Sequence, residues 1–97
     1  MALILTSLVP DRATDILTRG RIYGESRVIC GVHWRSDVEA GRTIAASLYA
    51  VLEGDPAFRA DMDAVRAELK QALVASETKP DGGTCKVEAA AATTPPP

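Results

Sequence analysis

The chain has 97 residues, 46% of them hydrophobic, and a net charge of −2. A chain this short forms one small domain at most and buries a modest fraction of its surface. Its acidic and basic residues are interspersed, which leaves no basic face for a nucleic acid or an anionic membrane surface. Charged residues interrupt every apolar stretch well before the roughly 18 to 20 residues of a membrane-spanning helix. These features exclude nucleic acid and membrane as expected partners.

The first nine residues, Met1 to Val9, are apolar. They are too short and lack the preceding Lys or Arg of a signal peptide, so we expect none in this chain and interpret them as a helical stub. The two cysteines, Cys30 and Cys85, form neither a disulfide framework nor a metal-binding pattern. Cys30 and His33 have a Cys-x-x-His spacing, but two ligands without a second pair make a poor zinc site. We therefore predict no metal and no cofactor.

The first long helix is predicted over residues 11 to about 24. Pro10 suits the first position of a helix, and apolar or small residues then recur at intervals of three and four. Gly20 and Gly24 within this stripe would permit close packing of helices. Residues 25–34 mix β-branched residues with Gly31, and their pattern leaves open whether the helix continues or the chain is extended.

Two further helices are predicted from capping signals. Ser36 followed by Glu39 has the spacing of a capping box, which predicts a helix from about 36 to 53. The sequence Gly54-Asp55-Pro56 supplies a helix stop, a new N-cap and a proline start, which predicts a last helix over about 56 to 75. Each helix has one apolar stripe and one charged face.

The remaining residues, 76–97, are rich in alanine, proline and glycine and are predicted to be a disordered tail. Residues 1–75 form the predicted folded portion. The predicted fold is all-α: an incomplete bundle of about three amphipathic helices with an N-terminal helical stub. Apolar stripes on such a partial bundle would favour self-association.

The only histidine lies in the densest group of reactive side chains. His33 and Asp37 are four residues apart, which places them on one face of a helical turn. A carboxylate there would fix the imidazole tautomer and leave the other nitrogen to attack or to take a proton. Arg27 offers a planar fork of donors that suits a phosphoryl group. In a straight helix Arg27 and His33 would point about 240° apart, so a shared site requires a bend near Gly31.

The order Ser26-Arg27, five residues, His33, three residues, Asp37 matches the third signature motif of the phosphatidic acid phosphatase type 2 and vanadium haloperoxidase superfamily. The surrounding residues, Gly24 to Gly31 and His33 to Val38, closely resemble class A bacterial non-specific acid phosphatases, and the likeness covers about residues 2–75. The resemblance implies an all-α, metal-independent periplasmic enzyme acting on phosphomonoesters. It assigns the nucleophile that becomes phosphohistidine to His33, its orientation to Asp37 and phosphate binding to Arg27.

Two other motifs of that family are absent from the chain. These are Lys, six residues, Arg-Pro, and the sequence Pro-Ser-Gly-His, whose histidine protonates the leaving group. We therefore expect the chain alone to be inactive, with phosphate or a phosphomonoester as its ligand. A non-catalytic helical remnant or interaction protein is the alternative. A vanadate-dependent haloperoxidase fragment, in which His33 would ligate vanadate, is a further one that bromide oxidation assays would distinguish.

Overall fold

The computed structural model describes residues 1–75 and 81–93. These ranges contain helices and no strand, so the predicted all-α class is confirmed. The elements are α1 (Ala2–Leu8), a short 3-10 helix (Pro10–Arg12), α2 (Ala13–Ile29), α3 (Arg35–Leu52), α4 (Pro56–Ala75) and α5 (Gly82–Ala92). Within the described ranges, none of the helices combines the length and apolar character needed to cross a bilayer.

Glycines let α1 and α3 approach α2 closely. A Cβ atom added at Gly20 would lie 2.9 Å from the Cβ of Ala2 in α1, and one at Gly24 would lie 2.9 Å from a methyl carbon of Val38 in α3. Both distances are shorter than carbon atoms tolerate, so any larger residue would push these helices apart. The prediction that Gly20 and Gly24 permit close packing is confirmed.

The stretch from 25 to 34, which the sequence pattern left open, is helical to Ile29 and then turns. Gly31 has a φ of +73°, in the left-handed region that favours glycine. Its N–H donates to the carbonyl of Val28 at 3.0 Å, and the N–H of Val32 donates to the carbonyl of Arg27 at 3.1 Å. This pair of hydrogen bonds is a Schellman motif, which ends α2 and supplies the bend expected near Gly31.

The start of α3 differs from the predicted capping box. The helix begins at Arg35, and Asp37 in its first turn accepts a hydrogen bond from the N–H of Trp34 at 2.9 Å. Ser36 therefore lies inside the helix and does not precede it, so the predicted pairing of Ser36 with Glu39 is wrong. The carboxylate of Asp37 satisfies the backbone N–H of Trp34, which has no partner within the helix. Its negative charge is also favourable at the helix N-terminus.

Helix α4 has the predicted bounds. The carboxylate of Asp55 accepts a hydrogen bond from the N–H of Phe58 at 2.9 Å, as an N-cap does, and Pro56 occupies the first helical position. Phe58 packs edge-on against Tyr49 of α3, with ring centroids 6.3 Å apart. The hydroxyl of Tyr49 in turn hydrogen-bonds Ser7 of α1, so this cluster joins three helices.

Part of the predicted disordered tail is helical. Asp81 accepts hydrogen bonds from the backbone N–H and the hydroxyl of Thr84, at 2.9 and 3.0 Å, and starts α5. These donors lower the pKa of the Asp81 carboxyl from its ordinary value. Alanine has the highest helix propensity, so the alanine-rich segment forms a helix although it has few apolar side chains to bury. The predicted disorder is therefore wrong for residues 82–92. Residues 76–80 and 94–97 of that predicted tail lie outside the described residues.

The described helices enclose little core. Among the described residues, Leu8 and Met62 alone are buried hydrophobic residues, at 8% and 7% exposure. The chain exposes 7501 Å², whereas a globular domain of its mass would expose roughly 5,400 Å². Its radius of gyration is 15.7 Å against about 12.5 Å for a compact domain of this length. The helices therefore form an open, partial bundle, as predicted.

Two glycines give a matched stability test. Gly31→Ala is expected to destabilise the chain by about 1 to 2 kcal/mol, because in the left-handed conformation the Cβ atom of alanine lies too close to the following carbonyl oxygen. Gly41→Ala is expected to stabilise it by up to about 1 kcal/mol, because alanine has a higher helix propensity than glycine. Gly41 lies on the exposed surface of α3, well inside the helix ends, and an added Cβ atom meets no atom within 4 Å. Urea unfolding followed by circular dichroism measures both changes. Equal effects of the two substitutions would contradict the assigned turn.

Candidate active site

An open groove of about 750 Å³ lies between α1, α2 and α3. Its walls are largely apolar or small side chains from the three helices, and Arg27, His33 and Asp37 line it together. The three candidate residues predicted from the sequence are therefore on one surface. The Schellman turn at Gly31 accounts for this, because it reverses the chain between Arg27 on α2 and His33 before α3.

His33 and Asp37 are neighbours across one helical turn. The Nδ1 atom of His33 lies 3.7 Å from the Oδ2 atom of Asp37, and the two side chains are 54% and 49% exposed. The same Oδ2 atom accepts the N–H of Trp34 at 2.9 Å, which holds the carboxylate in place. A carboxylate fixed beside Nδ1 favours a proton on that nitrogen and leaves Nε2 as the nucleophilic or basic atom.

Arg27 lies half-buried in the last turn of α2. Among the described residues, its guanidinium has no hydrogen-bond or ion-pair partner, so its positive charge is available to an anion in the groove. Its backbone carbonyl accepts the N–H of His33 at 3.2 Å as well as that of Val32. These hydrogen bonds hold the backbone of Arg27 beside that of His33.

Two further arginines line the same groove, and sequence reasoning assigned neither of them to the site. Arg42 of α3 donates from Nη2 to the backbone carbonyl of Arg21 at 3.2 Å. The Arg21 guanidinium is paired with Glu25 at 2.6 Å. The position of Arg42, five residues after Asp37, places it near the groove wall once α3 is known to pack against Gly24, which is a tertiary fact that no local pattern contains.

The resulting site suits an anion. Arg27 and Arg42 bring two positive charges that no carboxylate of residues 1–75 or 81–93 pairs, and Asp37 is the acidic residue on the groove lining. The described ranges hold no group of three or more His, Cys, Asp or Glu side chains arranged to bind a metal ion. A planar guanidinium recognises a phosphoryl group by paired hydrogen bonds, and the adjacent imidazole offers a nucleophile.

The chain is similar in sequence to bacterial proteins that are named acid phosphatases. The chain is 50% identical to an acid phosphatase of Zymomonas mobilis over 94% of its own length and 34% of that protein. It is 45% identical to non-specific acid phosphatases of Salmonella typhi and Salmonella typhimurium, over 84% and 82% of its length and 33% of each.

No protein-family profile matches the chain, and no solved structure gives a significant match. The chain spans about a third of the length of the curated relatives that it matches. At this identity and coverage of the chain, common ancestry is the explanation, as the motif around His33 predicted. The chain is therefore a homologue of the bacterial non-specific acid phosphatases and corresponds to about a third of such a protein.

Proposed function

We propose that this chain carries the nucleophile portion of an acid phosphatase that hydrolyses phosphomonoesters through a phosphohistidine intermediate. The observation that carries the proposal is the placement of His33 beside Asp37, 3.7 Å apart, on a groove that Arg27 also lines. The names of the relatives support the same reaction class. The resemblance to class A enzymes leads us to propose the periplasm as the site of action.

In the first step, the lone pair on Nε2 of His33 attacks phosphorus, a P–N bond forms, and the ester P–O bond breaks. Asp37 stabilises the imidazolium character that the ring acquires when it is phosphorylated. Arg27 binds the equatorial oxygens, which carry the charge during transfer. In the second step, water attacks the phosphohistidine, phosphate leaves, and His33 is regenerated.

The chain contains no second imidazole to act as the general acid of this reaction. The departing alkoxide requires a proton, and the sole histidine is already the nucleophile. The two motifs absent from the sequence would supply that acid and two more cations. Loss of each preorganised donor typically costs about 100- to 1000-fold in rate, so the isolated chain is expected to have no measurable turnover.

A graft tests the proposal. We define the grafted phosphatase as the Zymomonas mobilis acid phosphatase in which the matching third is replaced by this chain. The isolated chain and the grafted phosphatase are assayed with p-nitrophenyl phosphate at about pH 5 to 6. We expect turnover from the grafted phosphatase alone. A folded graft without activity would contradict the proposed function, and turnover by the isolated chain would contradict its expected inactivity.

The exposed apolar surface supports a second candidate, a non-catalytic helical interaction protein. Ile44 and Leu48 of α3 are 65% and 56% exposed, which is costly for a chain that acts alone. This candidate predicts self-association or binding without phosphatase activity. Sedimentation of the isolated chain with and without phosphate separates the two: a phosphate-dependent change favours the phosphatase site, and association indifferent to phosphate favours an interaction role.

A further inference from the structure

One line of positions along α3 begins at the candidate site. Asp37, Gly41, Ile44, Leu48 and Val51 follow one another at intervals of four, three, four and three. This alternation averages 3.5 residues and keeps all five positions on one stripe of a helix. We call these five residues the α3 seam. Its first member, Asp37, is the carboxylate beside His33, and Gly41 also lines the groove.

The α3 seam is uncovered along its whole length. Its three large apolar side chains, Ile44, Leu48 and Val51, are 65%, 56% and 73% exposed. A Cβ atom added at Gly41 would meet no atom within 4 Å. An apolar stripe of this regularity is typical of a packed helix and costs free energy when it faces water.

The spacing specifies the shape of what covers it. Alternating intervals of three and four residues accept the side chains of a second helix that crosses at a shallow angle, as in most helical bundles. Gly41, next to Asp37 on the stripe, leaves room for that helix to approach most closely near the site. A helix seated on the α3 seam would therefore run toward His33 and Asp37 and end or pass beside the groove.

The amount of exposed surface indicates a large interface. The chain exposes 7501 Å², roughly 2,000 Å² more than a compact domain of its mass. A standard interface covers only about 800 Å² on each partner, whereas permanent interfaces cover more and resemble a divided domain core. That total includes the exposed C-terminal segment, so the location of the interface rests on the exposed side chains of Ile44, Leu48 and Val51 and not on the total area.

We propose that the α3 seam docks a helix from the portion of an acid phosphatase that this chain does not span, about two-thirds of such a protein. A second copy of the chain could cover the apolar side chains. It would bring no additional kind of group to the groove, because its own single histidine serves its own site. This inference rests on the proposed function, since it assigns the partner of that same site.

The test compares two substitutions on α3 in the grafted phosphatase. Leu48→Glu places a charge on the seam, and Ala50→Glu places the same charge on an exposed position more than 100° away around the helix. In the grafted phosphatase, Leu48→Glu is expected to lower the midpoint of thermal unfolding by about 10 °C. Ala50→Glu is expected to leave it within about 2 °C. In the isolated chain, both substitutions should leave the midpoint nearly unchanged because both positions are exposed.

The outcomes separate this inference from the proposed function. If Leu48→Glu and Ala50→Glu have equal effects in an active graft, the α3 seam is not the docking surface. If the graft is folded and loses stability with Leu48→Glu but has no activity, the docking stands and the proposed function fails. If the full graft does not fold, exchange of residues 35–52 alone gives the same comparison. A stable dimer of the isolated chain that Leu48→Glu dissociates, with no effect in the graft, would assign the seam to a second copy.

Discussion

His33→Ala in the grafted phosphatase is expected to lower kcat by at least about 1000-fold, because it removes the atom that forms the bond to phosphorus. The side chain is 54% exposed, so its loss should change the unfolding midpoint little. The measurement is steady-state hydrolysis of p-nitrophenyl phosphate together with thermal unfolding. The intermediate can also be sought directly, by mass spectrometry of the protein denatured at alkaline pH during turnover.

Val32→Ala is the matched control for this prediction. Val32 is the preceding residue, is 53% exposed and does not line the groove. Its replacement should leave kcat within about twofold of the parent graft. Retention of more than a tenth of the activity in His33→Ala would transfer the nucleophile role to another group and remove the central assignment of the proposed function.

Asp37→Asn is expected to separate the two tasks that Asp37 performs. The amide oxygen can still accept the N–H of Trp34, so the start of α3 and the unfolding midpoint should be preserved. The neutral amide no longer stabilises a positively charged phosphorylated ring or enforces the imidazole tautomer. We therefore expect kcat of the grafted phosphatase to fall on the order of 1000-fold.

Asp37→Ala provides the comparison. It removes the hydrogen bond to Trp34 as well as the charge, so it should cost about 1 kcal/mol of stability in addition to the loss of activity. Unfolding midpoints and kcat measured for both variants give the result. If Asp37→Asn keeps full activity while Asp37→Ala is unstable, Asp37 is a helix-capping residue and has no part in the reaction.

The features that the sequence predicts best are those decided by neighbouring residues. Helix α4 has its predicted bounds because Asp55 and Pro56 mark its start within two positions. The start of α3 was predicted one residue late because the capping box was placed at Ser36 and Glu39, whereas Trp34 is the N-cap and Asp37 is the residue that accepts its N–H. Residues 82–92 were predicted to lack structure on burial alone, although alanine propensity and a cap at Asp81 suffice for a helix.

In the candidate site, too, the residues that the local sequence pattern identifies were predicted, and the one that depends on helix packing was not. The spacing of Arg27, His33 and Asp37 identified three residues that share a groove in the structure. Arg42 was not identified, because its approach depends on α2 and α3 meeting at Gly24. Periodicity predicted the apolar stripe of α3, and the expectation of an incomplete bundle predicted that apolar helix faces would be exposed, as Ile44, Leu48 and Val51 are.

The hydrogen bonds that close the turn after α2 have a consequence for assembly. The carbonyl of Arg27 is held by the amides of Val32 and His33, at 3.1 and 3.2 Å, so a stretch of seven residues sets the distance between the backbones of Arg27 and His33. That distance is a local property of the main chain and does not wait for the rest of an enzyme to gather around it. A newly added set of helices would meet a turn in which the backbones of Arg27 and His33 are already held together.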